Sequence, residues 1–342
     1  MDLVEDVREL ARASGLFTRD RPVLAMLSGG RDSVCLLDVA VALRGVANVS
    51  ALHVNYGLRQ AAGAEERHCR ALCAQFDVAL DVVNARRTAT ARPYGDSRSD
   101  ENASDDDASG EDASGECDVG NVQAWAREVR YREAARLAQD RDALIATGHT
   151  ASDQLETILY RLAASPGRRA LLGMVAGEGR LIRPLLAVTR EQTAAYCAAR
   201  GLHWCEDDSN QDERYARARV RHRLLPALRA VHPAAEANVL RTAALLREET
   251  QLLDALVDDE LAGHHQIEIA RLRELPGALA RMVLVRLAED ATGAYVPQAG
   301  DRVQEILELA SRRAHAELHV GGRAGAVIDK GLLTMVRLPP RD

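Results

Sequence analysis

The sequence predicts an α/β fold: a doubly wound, mostly parallel sheet of Rossmann-like type, followed by a smaller and mainly α-helical domain. Three observations carry that expectation. Short apolar runs alternate with helical patterns through the first half of the chain. Glycine, serine and histidine cluster where the apolar runs end. Beyond residue 212 the apolar spacing becomes helical throughout, at i, i+3 and i+4.

The elements follow in order. Val23 to Leu27 reads as a buried strand, and Val34 to Leu43, apolar nearly all round, as a helix packed on a sheet. Val49 to Val54, Ala79 to Val83 and Asp142 to Thr147 supply three further strands. Helical patterns fill about 64–76, 121–139 and 152–163. Such alternation builds βαβ units, whose ligands bind beyond the carboxyl ends of the strands. Ser28-Gly29-Gly30, His53-Val54-Asn55-Tyr56-Gly57 and Thr147-Gly148-His149 all fall at such ends, so three loops converge on one crevice. The later helices are expected near 213–230, 234–262, 276–290 and 298–311. A short strand pair, Ala316 to Val320 with Leu332 to Leu338, closes the chain. The domains expected are therefore 1–212 and 213–342.

Composition narrows the function. The chain has 342 residues, 47% hydrophobic but only 3% aromatic, so Leu, Val and Ala must fill its cores. No apolar stretch is long enough for a membrane span, and the acidic start Met1-Asp2-Leu3-Val4-Glu5-Asp6 has no signal-peptide character. A cytoplasmic protein is expected. Six cysteines (Cys35, Cys69, Cys73, Cys117, Cys197, Cys205) include no C-x-x-C pair and read as structural thiols. The net charge of −7 hides an asymmetry: ten acidic residues and one arginine lie between Asp96 and Asp118. The remainder, with 43 basic and 41 acidic residues, is slightly positive. The segment of about 95–120 is too poor in apolar side chains to offset its ordering entropy and reads as a disordered acidic insertion. Lys330 is the only lysine, which excludes a Walker-type G-K-[ST] loop. Any phosphate site here must use backbone amides, arginine and metal.

Four groups of residues carry chemistry. Ser28-Gly29-Gly30-Arg31-Asp32-Ser33 joins a strand to a helix N-terminus, where glycines admit a phosphate to backbone N–H groups and the helix dipole favours it. Any strand-to-helix turn also favours Gly and Ser. Asp153 and Glu156 stand three apart near the start of a helix. They serve either as dipole-favoured decoration beneath a Ser152 cap, or as a grip on a cationic group. Arg127 and Arg130 share one helix face, either solvated or reaching phosphates. Arg214, Arg217, Arg219, Arg221 and Arg223, with His222, form a band suited to an RNA backbone, although a solvated helix reads similarly.

These motifs, taken in order, resemble those of the tRNA(Ile)-lysidine synthase family of PP-loop (N-type) ATP pyrophosphatases. The resemblance runs through Ser28–Ser33, His53 to Arg59, Gly120-Asn121, Ala126-Arg127, Arg130-Tyr131, Gly148-His149 and Asp153-Gln154-x-Glu156-Thr157. It continues through Leu172-Gly173-Met174, Arg183-Pro184-Leu185, Glu206-Asp207-x-Ser209-Asn210 and Arg219-x-Arg221-His222, covering roughly residues 20–250. It implies a carbon–nitrogen ligase that adenylates C2 of the wobble cytidine in CAU-anticodon tRNA(Ile) with ATP, releasing pyrophosphate, then replaces AMP by the ε-amine of free L-lysine. It further implies ATP binding by Ser28, Gly29, Gly30, Arg31, Asp32, Ser33 and His53, with Asp32 also placing Mg²⁺. Asp32, Arg127 and Arg130 would be catalytic, Asp153 and Glu156 would bind lysine, and Arg217, Arg219, Arg221 and His222 would dock the tRNA. A homodimer is compatible with it.

Some positions depart from the family pattern: Ser152 stands where Asp is common, Gln123 for Glu, Ala164-Ser165-Pro166-Gly167 for Arg-Gly-Ser-Gly, and Ala218 for Asn. The large extra C-terminal domain of longer members is expected to be missing. Two rival readings stay open: a PP-loop tRNA thiolase, for which Cys69 and Cys73 are wrongly spaced, and a catalytically inactive RNA-binding relative.

Overall fold

The structure, a computed structural model, describes residues 2–18, 20–57, 62–85, 119–164, 167–206 and 216–339. The acidic insertion up to residue 118, with Cys117, lies outside them, as do Leu58-Arg59 and the stretch from Asp207 to Tyr215.

The chain divides into two compact units, with the boundary between Arg241 and Thr242. The first holds α1 (Leu3–Ala13), β1 (Val23–Met26), α2 (Arg31–Arg44), β2 (Val49–Asn55), α3 (Ala62–Phe76) and β3 (Ala79–Asn84). It continues with α4 (Val119–Asp140), β4 (Leu144–Ala146), α5 (Ala151–Ala164), α6 (Arg168–Leu172), β5 (Gly177–Glu178), β6 (Leu181–Ile182) and α7 (Arg190–Ala199). Then come α8 (Ala216–Arg219), a π-helical turn (Val220–Leu224) and α9 (Leu225–Val231).

The sheet order is β3-β2-β1-β4-β6-β5, parallel except for β5. Strand side chains alternate between faces. Accordingly Val23 and Ala25 pack with residues of α1, α2, α3 and α7, while Leu24 and Met26 pack with Val129, Ala134 and Leu137 of α4. Two apolar faces on one strand explain why the β1 sequence is uninterrupted by polar residues. The chain leaves β1 towards β2 on one side and reaches β4 on the other. The order therefore reverses between β1 and β4, which makes their carboxyl ends a topological switch point.

The second unit is built around α11 (Ile269–Glu274), α12 (Gly277–Thr292), α13 (Gln298–Asp301) and α14 (Val303–Arg312). Its sheet has the order β7-β10-β9-β8, formed by β7 (Gln266–Glu268), β8 (His315–Gly321), β9 (Ala324–Asp329) and β10 (Leu332–Arg337). The expected strand pair is thus corrected: Ala324–Asp329 lies between its two members and bonds to both. Small residues (Ala324, Gly325, Ala326) masked that central strand in the sequence. α10 (Ala235–Leu261) contains the boundary between the units.

Candidate active site

Ser28–Ser33 forms the switch-point loop. Gly29 adopts φ +86°, a conformation glycine tolerates, and Gly30 is the N-cap of α2 in extended geometry without a side-chain cap bond. The first-turn N–H groups of α2 are therefore not spent on a cap side chain, as an anion cradle requires. The two serines brace the turn: the Ser33 hydroxyl donates to the Gly30 carbonyl at 2.8 Å and accepts from the Ser28 N–H at 3.2 Å. His53 lies beneath the loop, 3% exposed, with Nδ1 donating to the Leu27 carbonyl at 2.9 Å. Its Nε2 has no hydrogen-bond partner among the described residues.

Gly148, at the end of β4, backs the loop. A Cβ there would sit 3.0 Å from the Asp32 carbonyl carbon and oxygen and 3.1 Å from the Ser33 nitrogen. Since those neighbours are backbone, Gly148→Ala is expected to displace the cradle. ATP affinity by calorimetry should fall by about tenfold or more. Wild-type affinity would show that the loop does not need this close approach.

Asp32, Asp153 and Glu156 come together around two guanidinium groups. Arg190, at the start of α7, places Nη2 2.5 Å from Asp153 Oδ1, Nη1 2.9 Å from Glu156 Oε1, and Nε 3.7 Å from Asp32 Oδ2. Arg221 grips Glu156 with two parallel bonds, Nε to Oε1 at 2.7 Å and Nη2 to Oε2 at 2.9 Å. Glu156 is only 2% exposed, so it is a buried carboxylate whose charge is met by guanidinium. On Asp32, Oδ1 accepts from the Thr193 hydroxyl and from Arg31 Nε. Burial alone would raise the Asp153 pKa, but Arg190, His149 and the Thr150 bonds outweigh it and hold the carboxyl below its ordinary value.

The helix start differs from expectation. Thr150, not Ser152, closes α5: its N–H and hydroxyl both donate to Asp153 Oδ2, at 2.8 and 2.7 Å. Ser152 instead accepts the backbone N–H of Arg190 at 3.1 Å, and so fixes the start of α7. Asp153 therefore has one oxygen committed to the cap and one facing Arg190.

α7 is held in place from both ends. Thr189 and Gln192 form a reciprocal capping box. Buried Asp38 of α2 accepts from the Tyr196 hydroxyl at 2.5 Å and from Arg200 Nε and Nη2 at 3.0 and 3.1 Å, with Arg8 of α1 3.6 Å away. These contacts orient the helix that presents Arg190 and Thr193. Leu172-Gly173-Met174 is also positional. Gln154 bonds both the N–H and the carbonyl of Met174, and Arg161 Nη1 donates to the Gly173 carbonyl at 2.8 Å.

Arg127 and Arg130 belong to an aromatic group at the end of β2. Arg130 Nε donates to the Tyr56 hydroxyl at 3.0 Å, Trp125 meets the Tyr56 ring edge-on, and the Arg127 guanidinium lies 4.7 Å from the Tyr131 ring centroid. The basic band is split by the π-helical turn, in which Leu225 N–H bonds to the Val220 carbonyl. Arg221 lies half-buried against Glu156, whereas Arg217, Arg219, His222 and Arg223 are exposed. Val220 and Leu225 anchor this turn on Leu155 of α5. A continuous helix over 213–230 was expected; the extra residue in the turn is what re-aims the band.

Arg190, Thr193, Asp38 and Thr150 are the members of this site that sequence reasoning missed. The T-x-x-Q capping pattern at Thr189–Gln192 marks where α7 begins, and with it the first turn that carries Arg190.

Comparison with known proteins fits this geometry. The PP-loop domain model matches residues 3–228. The tRNA(Ile)-lysidine synthase of Pseudomonas fluorescens is 34% identical over 283 residues, covering 78% of this chain and 57% of that protein. The tRNA(Ile)-lysidine synthase of Geobacter sulfurreducens is 31% identical over 330 residues, covering 93% of this chain and 65% of that protein. The chain thus spans between about half and two thirds of the length of the curated relatives it matches. Among solved structures, the U34-tRNA thiolase NcsA of Methanococcus maripaludis aligns with a TM-score of 0.53 at 14% identity. It covers 72% of this chain and 80% of that one, a likeness of fold alone. With the domain model spanning the whole six-stranded sheet and its switch-point loop, the chain belongs to the PP-loop family.

Proposed function

We propose that this protein ligates free L-lysine to C2 of the wobble cytidine in CAU-anticodon tRNA(Ile), in the cytoplasm and at the expense of ATP. The observation that carries this reading is the placement of two carboxylates, Asp153 and Glu156, beside the loop that would hold ATP. A phosphate site next to a cation site is what joining an activated base to an amino acid with two ammonium groups requires.

The chemistry divides into two displacements. The C2 oxygen of cytidine attacks the α-phosphorus of ATP; an O–P bond forms and the bond to pyrophosphate breaks. The neutral ε-amine of lysine then attacks C2, the C2–O bond breaks and AMP leaves, and the nitrogen releases one proton to solvent while keeping the other. Ser28, Gly29, Gly30 and Ser33 shape the loop that cradles the pyrophosphate at the N-terminus of α2, the serines bracing the turn and Arg31 lying alongside. Asp153 Oδ1 and Glu156 Oε1 receive the lysine, while Thr150 and Arg221 keep the other oxygens fixed.

Among the described residues no group of three His, Cys, Asp or Glu could hold a metal ion. Mg²⁺ commonly binds through one carboxylate together with substrate phosphates, and Asp32 at the loop fits that donor set. When bound there it would neutralise charge on the leaving pyrophosphate. Arg127 and Arg130, with Tyr56 and Trp125, offer a stacking and phosphate-binding surface for the anticodon loop. Arg217, Arg219, His222 and Arg223, the exposed members of the band, offer charge to the stem backbone.

The thiolase alternative is less well supported. Burial pushes the Cys69 thiol up to about 12 and the Cys73 thiol up to about 11, values of inert rather than reactive cysteines. No helix among the described residues is long and apolar enough to cross a membrane. Incubation with CAU-anticodon tRNA(Ile), ATP, Mg²⁺ and radiolabelled lysine should label the tRNA and release AMP in equal amount. Unlabelled tRNA, with a family member as positive control, would overturn the proposal.

A further inference from the structure

We infer that Arg190 is a built-in stand-in for the substrate's ammonium group, and that ATP on the switch-point loop draws it away, so that the lysine site opens only after nucleotide binds. This rests on the lysine-ligation reading above and adds to it an order of binding and a positioning residue.

The geometry points to this from three sides. First, the two shortest contacts of the Arg190 guanidinium, 2.5 Å to Asp153 and 2.9 Å to Glu156, occupy the oxygens a lysine ammonium would need. Its contact with Asp32, on the ATP side, is the longest at 3.7 Å. Second, the local charge is already balanced. Asp32, Asp153 and Glu156 face Arg31, Arg190 and Arg221, so lysine, with a net charge of +1, meets no unneutralised carboxylate. Third, the arm has somewhere to go. Arg190 also lines an open cavity of about 550 Å³ with Arg31, Glu191, Ala194 and Trp204, so its side chain is not enclosed on every side.

ATP changes the balance because it brings several negative charges to the loop that ends in Asp32. A guanidinium fork matches a phosphate edge bidentately, so the phosphates replace in kind the two short bonds to Asp153 and Glu156 that Arg190 gives up, along with its long contact to Asp32. As Arg190 turns towards the phosphates, Asp153 Oδ1 is released and Glu156 Oε1 loses one of its two donors. The pocket does not collapse, since Thr150 retains Asp153 Oδ2 and Arg221 retains both oxygens of Glu156. Lysine then enters beside a nucleotide already in place.

The test is a set of calorimetric titrations on the full chain without tRNA. Lysine is titrated alone and in the presence of a non-hydrolysable ATP analogue, and the analogue is titrated with and without lysine. In the wild type, the analogue should tighten lysine binding by about tenfold or more, and lysine should tighten analogue binding by the same factor, because coupling is reciprocal. In Arg190→Gln, lysine should bind without nucleotide as tightly as it does to the nucleotide-loaded wild type, with coupling below about twofold. Arg190→Lys, which keeps a cation on a different stem, should restore part of the coupling. Equal lysine affinity with and without the analogue in the wild type overturns the inference, as does full coupling in Arg190→Gln. Should that variant fail to fold, the wild-type pair and Arg190→Lys decide. Absence of lysine binding in every state overturns the lysine-ligation reading itself, and the inference with it.

Discussion

Glu156→Ala is expected to cost about 3 kcal/mol of folding stability and to abolish lysine transfer, because it leaves two guanidinium groups facing a buried site without their carboxylate. Glu156 is 2% exposed and accepts three hydrogen bonds, one from Arg190 and two from Arg221. Arg221 arrives through the π-helical turn that packs on Leu155, so loss of the carboxylate should loosen that turn as well. Urea unfolding gives the stability change. Glu156→Gln, which keeps the volume and one acceptor, separates folding from function. It should lose less stability than the alanine variant, yet kcat/KM for lysine should fall by about 100-fold or more. A Glu156→Gln enzyme with normal lysine kinetics would place the amino-acid site elsewhere.

Asp32→Asn should affect the first displacement rather than the second. The Asp32 carboxylate is the meeting point of Thr193, Arg31 and Arg190, and the proposed function gives it the metal–phosphate complex to hold. Asparagine preserves the shape and can still accept from Thr193, but it removes the charge. Pyrophosphate release dependent on tRNA is expected to fall by about 100-fold or more, with a melting-temperature change of only a few degrees. The residual activity should depend weakly on Mg²⁺ concentration. Retention of activity within about threefold would remove Asp32 from the ATP chemistry.

Much of this architecture could be read from the chain because its local signals agree with one another. The central strands β1 and β4 are buried on both faces, helical patterns separate the strands, and glycine and serine stand where strand gives way to helix. Expected strands at 23–27, 49–54 and 79–83 correspond to Val23–Met26, Val49–Asn55 and Ala79–Asn84. The two-residue strands β5 and β6 carry too little pattern to be seen, and β9 was hidden by its small residues. Within the site, Asp32, Asp153 and Glu156 were marked by spacing and loop position. Arg190 was not, because its partners Asp32, Asp153 and Glu156 are 158, 37 and 34 residues away. The inward turn of Arg221 was equally hidden, since it depends on one extra residue in a helical turn. Thr150 illustrates a smaller failure: the hydroxyl residues Thr150 and Ser152 flank the first residue of α5, and hydrogen-bond geometry alone decides which one caps.

The departures at Ser152 and Ala218 also acquire physical content. Ser152 supplies the acceptor for the first N–H of α7, so it positions the helix that carries Arg190. Ala218 is 8% exposed and sits on the buried side of α8, where a larger polar side chain would need a partner. Neither change removes a member of the carboxylate–guanidinium cluster.

The most direct measurement is the identity of the wobble nucleoside after reaction. CAU-anticodon tRNA(Ile) is incubated with the purified protein, ATP, Mg²⁺ and lysine, digested to nucleosides, and analysed by mass spectrometry. The expected result is conversion of the wobble cytidine to lysidine, dependent on both ATP and lysine and absent with Asp153→Ala. An unmodified cytidine, or a thiolated base formed only when a sulfur donor is supplied, would contradict the proposed function.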